Sequence, residues 1–321
     1  MNKLFSYFIK YAINNYCSDL HFDIINNEYC IVAARKLGNV LEIERLSFMI
    51  ANKLFNYISY IANIDIINQQ TLHTGTCKYL FNNKTYYLRV SVLYSISSKS
   101  IVIRILNNHQ QIDLNNLAII ESNITFLKNI LDYKNGLVVL TGKTGAGKTT
   151  TLYAILEKLV KKENKKIISL EDPIEREIKG ILQINVNSDV ISYFDVLKQV
   201  LRHDPDIIII GEIRDEKELK LAIQSALSGH LVITTMHAIN AKYAINRLLE
   251  LKVNILDLKA CLRLISYQEL IYLDNNNIKS IYEFIDENKI NDFIDNKDID
   301  YHNISYYKSI LKKSITYYEG K

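Results

Sequence analysis

Long apolar runs are missing from this sequence. None approaches the roughly 20 residues needed to span a bilayer, and the N-terminus lacks the layout of a signal peptide. Contact with a membrane is therefore expected only through a partner. Paired cysteines are missing too: Cys17, Cys30, Cys77 and Cys261 lie far apart with no C-x-x-C pair. That argues against a zinc site or a disulfide scaffold and for a reduced, cytoplasmic setting. Nor is there a strong charge of one sign. A net charge of +4 over 321 residues gives no case for direct nucleic-acid binding. The densest basic stretch, Lys161-Lys-Glu-Asn-Lys-Lys166, reads as the solvated end of a helix. Charged and apolar fractions of 23% and 48% are those of a globular protein, with room for two domains.

What is present centres on Leu137-Val-Val-Leu-Thr-Gly-Lys-Thr-Gly-Ala-Gly-Lys-Thr-Thr-Thr151. It holds Gly142-x-x-x-x-Gly147-Lys148-Thr149, the full phosphate-loop pattern, behind an apolar strand and ahead of a helix marked by Leu152, Ile155, Leu156 and Leu159. Gly142, Gly145 and Gly147 let the backbone curl so that N–H groups of Lys143, Thr144, Ala146 and their neighbours point inward, and the following helix adds its positive end. Lys148 would reach the β- and γ-phosphates of ATP, the Thr149 hydroxyl would ligate Mg²⁺, and Thr150 completes the turn.

Upstream, residues 1–16 carry Leu4, Phe5, Phe8, Ile9 and Ala12 at helical spacing. Strand-like pieces follow at 20–24 and 29–33, a longer helix at 43–62, and strands at 76–81, 85–93 and 100–106. Residues 1–106 are thus expected to form a small α+β domain of PAS-like type. A polar stretch follows, and 107–120 reads as the linker. From 121 to 321 strands alternate with helices, the signature of a parallel sheet with crossover helices. In the last part, from about residue 255, Ile281, Phe284, Ile285, Phe293 and Ile294 suggest small helices packed on the core, with a partner-docking tail as the sharper alternative.

Ligands of open parallel sheets sit beyond the carboxyl ends of the strands. Here successive apolar runs end in the phosphate loop, Glu171, Glu212 and His237, so these groups are expected at one rim. His230 precedes the strand that His237 follows, and seven residues at about 3.3 Å each separate the two by roughly 20 Å. His237 is therefore placed on the γ-phosphate side. His230 is a structural hydrogen-bonder or a contact to a neighbouring subunit, and the same separation argues against a two-histidine metal site.

The run from Gly142 to Asn240 resembles the secretion and pilus traffic ATPases, the GspE/PilB/PilT superfamily. The motifs that carry the resemblance are the phosphate loop, Leu170-Glu-Asp-Pro-Ile-Glu175, Arg202-His-Asp-Pro-Asp-Ile-Ile-Ile-Ile-Gly-Glu-Ile-Arg-Asp215 and Ser228-Gly-His-Leu-Val-Ile-Thr-Thr-Met-His237. Ser18-Asp-Leu-His21, Asp65-Ile66, Leu88-Arg-Val-Ser91 and Val102-Ile-Arg104 are similar, more loosely, to the family's second N-terminal domain. The resemblance implies a RecA-like ATPase domain, a homo-hexamer, ATP with Mg²⁺, and an inner-membrane platform protein as partner of a pilus or secretion system. It makes Arg89 and Arg104 candidate contacts to the triphosphate.

The departures are informative. Gln69-Gln-Thr-Leu-His-Thr-Gly-Thr76 stands where the family has an Arg-rich turn, and its later Gln-Arg pair is Gln268-Glu269 here. Neither the first N-terminal domain of assembly ATPases nor their four-cysteine zinc module has a counterpart. On that ground the chain is most similar to the competence ComGA type, which powers a DNA-uptake pseudopilus, with the PilT retraction type as the rival. The expected chemistry places Glu212 on the attacking water and His237 on the γ-phosphate. Gly211 stands where many phosphate-loop ATPases have an Asp, so Glu171 is expected to share the metal or water-positioning duty, directly or through water. A RecA-like nucleic-acid motor and an ATP-holding scaffold are the readings from other classes.

Overall fold

In a computed structural model, the described residues are 1–36, 39–64, 73–106, 113–162, 165–186, 193–273, 278–312 and 318–319. The chain divides into two compact units: Met1–Gln110 with Pro173–Glu177, and Gln111–Asp172 with Ile178–Lys321.

The first unit runs α1 (Asn2–Asn14), β1 (Asp19–Ile25), β2 (Tyr29–Lys36), β3 (Asn39–Ser47), α2 (Phe48–Ile61), β4 (His73–Phe81), β5 (Lys84–Tyr94) and β6 (Lys99–Leu106). Its antiparallel sheet has the order β3-β2-β1-β6-β5-β4. Because strand side chains alternate between faces, Leu20, Phe22 and Ile24 of β1 and Leu88, Val90 and Val92 of β5 line one side. There they are buried with Phe5, Phe8, Ile9 and Ala12 of α1 and Leu54, Phe55 and Ile58 of α2.

Residues 43–62 were expected as one helix. The structure ends a strand at Ser47 and starts the helix at Phe48. Most of β3 is exposed at the sheet edge, so it lacks the apolar alternation that would have marked it. The Asp65-Ile66 resemblance and most of the Gln69–Thr76 turn lie outside the described residues, as does 107–112 of the expected linker.

The second unit contains α3 (Glu121–Asn129), β7 (Gly136–Gly142), α4 (Lys148–Lys162), β8 (Ile167–Glu171), β9 (Ile181–Asn185), α5 (Tyr193–Val200), β10 (Ile207–Ile210), α6 (Glu216–Leu227) and β11 (Leu231–Met236). It continues with α7 (Ala241–Glu250), α8 (Ile255–Cys261), β12 (Leu262–Tyr272), β13 (Ile278–Asp286), α9 (Glu287–Ile294), α10 (Ile304–Leu311) and β14 (Tyr318–Glu319). The sheet order is β13-β12-β7-β11-β10-β8-β9, parallel from β12 to β9, with β13 antiparallel at one edge.

Both faces of this sheet are covered. Leu137 and Val139, Ile208 and Ile210, and Val232 belong to one core. Val138 and Leu140, Ile207 and Ile209, and Leu231 and Ile233 belong to the other. Double coverage is why these strands read as unbroken apolar runs. The same cause hid β12 and β13, which stand beside the small helices α8, α9 and α10 in the part after residue 255 where only helices were expected. Ile281, Phe284 and Ile285 are buried together because both faces of β13 are packed, so their helical spacing was a coincidence of full burial. Among the described residues no helix is long and apolar enough to cross a membrane.

Candidate nucleotide site

The parallel order sets β7, β11, β10 and β8 side by side, so the groups that follow their carboxyl ends fall along one rim. At β7 the chain turns through the loop from Lys143 to Gly147 into α4. Gly145 and Gly147 have φ of +78° and +84°, a region that favours glycine. A side chain at Gly145 would meet nothing within 4 Å, so the turn is open at this residue. At Gly142 the strand leaves no room: a Cβ there would lie 2.9 Å from the Gln268 carbonyl oxygen. Lys143, Thr144 and Thr150 are exposed, Ala146 is buried, and Lys148 and Thr149 are partly buried.

The Lys148 ammonium lies over the loop. It donates to the carbonyls of Gly142 at 2.9 Å and Lys143 at 3.1 Å, and stands 3.4 Å from His237 Nδ1. Burial pushes its pKa down, and the charge of Glu212 partly offsets this. His237 extends the contact: its Nε2 is 3.4 Å from Glu212 Oε1. A lysine donating into Nδ1 leaves the Nε2–H tautomer to donate to Glu212. Lys148, His237 and Glu212 therefore form one chain of contacts across adjacent strands.

Backbone and side-chain bonds hold these groups in place. Thr235 Oγ1 donates to the Gly211 carbonyl at 2.6 Å, and the Ile213 N–H donates to the Thr235 carbonyl at 3.1 Å, fixing the turn that carries Glu212. Arg247 donates to the His237 carbonyl at 3.2 Å. Beyond the turn, Asp215 caps α6 by accepting from the Glu218 N–H at 2.9 Å, and Glu218 accepts from the Arg214 N–H at 2.7 Å, an arrangement close to a capping box.

Glu171 also reaches the rim but is engaged differently. It is 5% exposed, one oxygen accepts from Ser169 Oγ at 2.7 Å and Gln183 Nε2 at 3.0 Å, and the other accepts from the Tyr153 hydroxyl. No hydrogen bond or ion pair among the described residues joins it to Lys148, Glu212 or His237. His230 stands at the opposite end of β11, where Nδ1 lies 2.9 Å from the Ser225 carbonyl. That contact matches the structural role expected of it.

Three participants were not singled out from sequence. Arg214 lies 3.3 Å from Glu212 and 3.6 Å from Asp172. Burial works against its charge, and Glu212 and Asp172 more than restore it. The clue was its position two residues beyond Glu212 in the segment that follows β10. Tyr153 sits one helical turn after Thr149, a spacing that could have located it. Gln268 was visible only as a member of an altered pair.

In the first unit, Arg89 of β5 and Arg104 of β6 are direct cross-strand partners. Arg104 Nε is 2.9 Å from Asp19 Oδ1, with Asp19 buried and Arg104 exposed. Ser18 Oγ donates to the other Asp19 oxygen at 2.8 Å. Like charges directly opposite on a sheet are unfavourable; Asp19 offsets that of Arg104, so it is at Arg89 that an anion would be welcome.

The chemistry of the loop fits a bound di- or triphosphate. The turn is open at Gly145, an ammonium stands over it, and the Thr149 hydroxyl, in the first turn of α4, makes no hydrogen bond among the described residues. That leaves the hydroxyl available to a magnesium ion.

A family model of type II/IV secretion system proteins matches residues 1–308. The competence protein ComGA of Bacillus subtilis is 34% identical over 235 residues, which is 72% of this chain and 66% of that protein. Type II secretion system protein E of Pectobacterium carotovorum is 35% identical over 253 residues, 78% of this chain and 50% of that protein. The chain thus spans between half and two thirds of these relatives.

Among solved structures, the pilus retraction motor PilT with bound ADP matches with a TM-score of 0.73 at 23% identity, over 96% of this chain and 89% of that one. The ATPase DotB of Legionella pneumophila matches with a TM-score of 0.70 at 22% identity, over 90% and 82%. These two likenesses concern the fold alone: a parallel-sheet phosphate-loop domain preceded in sequence by a small antiparallel α+β domain. With the family model spanning nearly the whole sequence, the chain belongs to the type II/IV secretion system protein family.

Proposed function

We propose that this chain is an ATP-hydrolysing motor that drives assembly of a type IV-like pilus, a competence pseudopilus for DNA uptake, or a type II-like secretion fibre. The observation that carries the proposal is the contact chain Lys148–His237–Glu212 along the rim, which sets a phosphate-binding cation, an imidazole and a carboxylate around one turn. Lys148 and the loop N–H groups hold the phosphates, with Thr149 on the magnesium ion. A bound Mg²⁺ would supply charge neutralisation for the β- and γ-oxygens.

Glu212 orients or deprotonates the attacking water. To do so it must be released from Arg214 or His237, and the γ-phosphate competes for both donors. His237, joined to both Lys148 and Glu212, reports the presence of that phosphate to the acid. We assign Glu171 to the same rim, with its engaged oxygens favouring a positioning role and contact to metal through water as its alternative. Arg89 and Arg104 are assigned to the triphosphate, a role supported by their like-charge juxtaposition. The working form is a homo-hexamer, cytoplasmic and bound at the inner face of the membrane through a platform protein.

Purified protein should hydrolyse ATP. Glu212→Gln should keep nucleotide binding while turnover falls about 10²–10⁴-fold, the usual contribution of a positioned base. Lys148→Ala should lose binding itself. Near-normal hydrolysis by Glu212→Gln would reject the assignment. A retraction motor of PilT type is the second reading, favoured by the fold likeness, and the effect of gene loss on fibre number separates the two.

A further inference from the structure

We infer that Gln268 is a positioning residue for the phosphate loop, holding the peptide between Ala146 and Gly147 so that the Gly147 N–H faces the phosphates. The inference rests on the nucleotide reading above.

Gln268 is the last residue of β12 to pair with β7, directly opposite Gly142. Its side chain is fully buried, and its Nε2 donates to the Ala146 carbonyl at 2.6 Å. The loop is wrapped around this amide. A Cβ on Gly142 would lie 2.9 Å from the Gln268 carbonyl and 3.4 Å from its Cγ, and one on Gly147 would lie 3.2 Å from Nε2.

A trans peptide is planar, with its C=O and N–H pointing in opposite directions. The Ala146 carbonyl and the Gly147 N–H belong to one such unit. Drawing the carbonyl toward Gln268 therefore turns the N–H the other way, toward the open side of the turn. In a free glycine-rich loop this peptide could flip, since Gly147 already occupies positive φ at little cost. The side-chain amide removes that freedom.

The other end of the same amide argues that packing is not the reason for a glutamine here. Gln268 Oε1 is buried and has no hydrogen-bond partner among the described residues. A leucine or methionine would fill the space without an orphaned oxygen, so the useful group is the Nε2–H donor.

The test compares Gln268→Met, which keeps volume and loses the donor, with Gln268→Glu, which carries a donor only while its carboxyl is protonated. ADP and AMP affinities are measured by titration calorimetry on the full chain, together with thermal unfolding in the absence of nucleotide. A positioned Gly147 N–H serves the phosphate beyond the first. Gln268→Met should therefore weaken ADP about tenfold and AMP by less than twofold, with unfolding temperature little changed.

Gln268→Glu should lose ADP affinity progressively as pH rises through the range of its introduced carboxyl, beyond any trend in the unsubstituted chain. Equal losses for ADP and AMP, or a pH profile in Gln268→Glu parallel to that of the unsubstituted chain, would overturn the inference. If Gln268→Met does not fold, the pH profile of Gln268→Glu decides alone. Failure of the unsubstituted chain to bind ADP would instead reject the nucleotide reading, a separate and recognisable result.

Discussion

At the residue scale, a carboxylate can stand at a catalytic rim and still be occupied. Glu171 accepts from three donors, whereas Glu212 is held by an imidazole and an exposed arginine, both of which an incoming phosphate can recruit. Glu171→Gln would set an amide N–H against one of those donors. It should lower stability by about 1–3 kcal/mol, read by denaturant unfolding, while reducing turnover less than Glu212→Gln. Unchanged stability with equal loss of turnover would return Glu171 to the metal or the water.

Lys148 gives a pH prediction. Burial lowers its pKa, and bound phosphates favour its charged form, so binding draws a proton onto the lysine once the pH approaches the lowered value. Affinity for ADP should therefore begin to fall below the ordinary lysine value of about 10.4. Calorimetry in buffers of different ionisation enthalpy should show proton uptake there; uptake that is absent throughout the alkaline range would contradict it. Sequence located Lys148, Glu212 and His237 because each stands just past an apolar strand. Alternation along β8 puts Ser169 on the face of Glu171, but which oxygens were engaged was not legible, since Tyr153 of α4 and Gln183 of β9 reach Glu171 from other elements.

At the element scale, the alternation of strands and helices from residue 121 was legible because both-face burial makes each central strand an unbroken apolar run. The same burial made β12 and β13 illegible as strands. These two carry much of the architecture behind the rim. Glu283 of β13 is buried and accepts from the Ala241 N–H of α7 and the Ile304 N–H of α10, each at 2.9 Å. Asn240 and Asn303 cap the same helices by accepting from Tyr243 and Tyr306.

One acid thus serves two positive helix ends, and its ionised form, with both oxygens accepting, suits them. Burial pushes its carboxyl upward while the two N–H bonds draw it down. Glu283→Ala would leave both N–H groups without an acceptor. The expected loss is about 1.5–3 kcal/mol for each bond, measured by denaturant unfolding. Glu283→Gln, which retains an acceptor oxygen, should lose less. A neutral effect of Glu283→Ala would mean that α10 is not held through this acid. Lys308 of α10 also pairs with Glu269 at 2.9 Å, so the residue where this chain departs from the Gln-Arg pattern has a partner in the C-terminal helix.

At the scale of the whole molecule, the sequence pattern changes near residue 121, from short strands with two helices to alternating strands and helices, whereas Pro173–Glu177, inside the second pattern, groups with the first unit. In the proposed hexamer, Glu212 would be freed from Arg214 and His237 only when a nucleotide is clamped, and Arg89 and Arg104 would contribute to that clamp. Turnover per chain should then rise with protein concentration through the range in which light scattering shows six-chain particles form, and fall again on dilution. Arg89→Ala should flatten turnover at a low level without lowering the first unit's stability, because its guanidinium lies on the sheet face away from the buried core, whereas Arg104→Ala should lower turnover and also cost stability by leaving buried Asp19 without its cation. A self-sufficient monomer predicts the opposite: turnover per chain constant at every concentration, and insensitive to the two arginines. Added duplex DNA provides the remaining contrast. A net charge of +4 offers few phosphate contacts, so turnover at physiological salt should be unchanged by it, whereas a nucleic-acid motor would be stimulated.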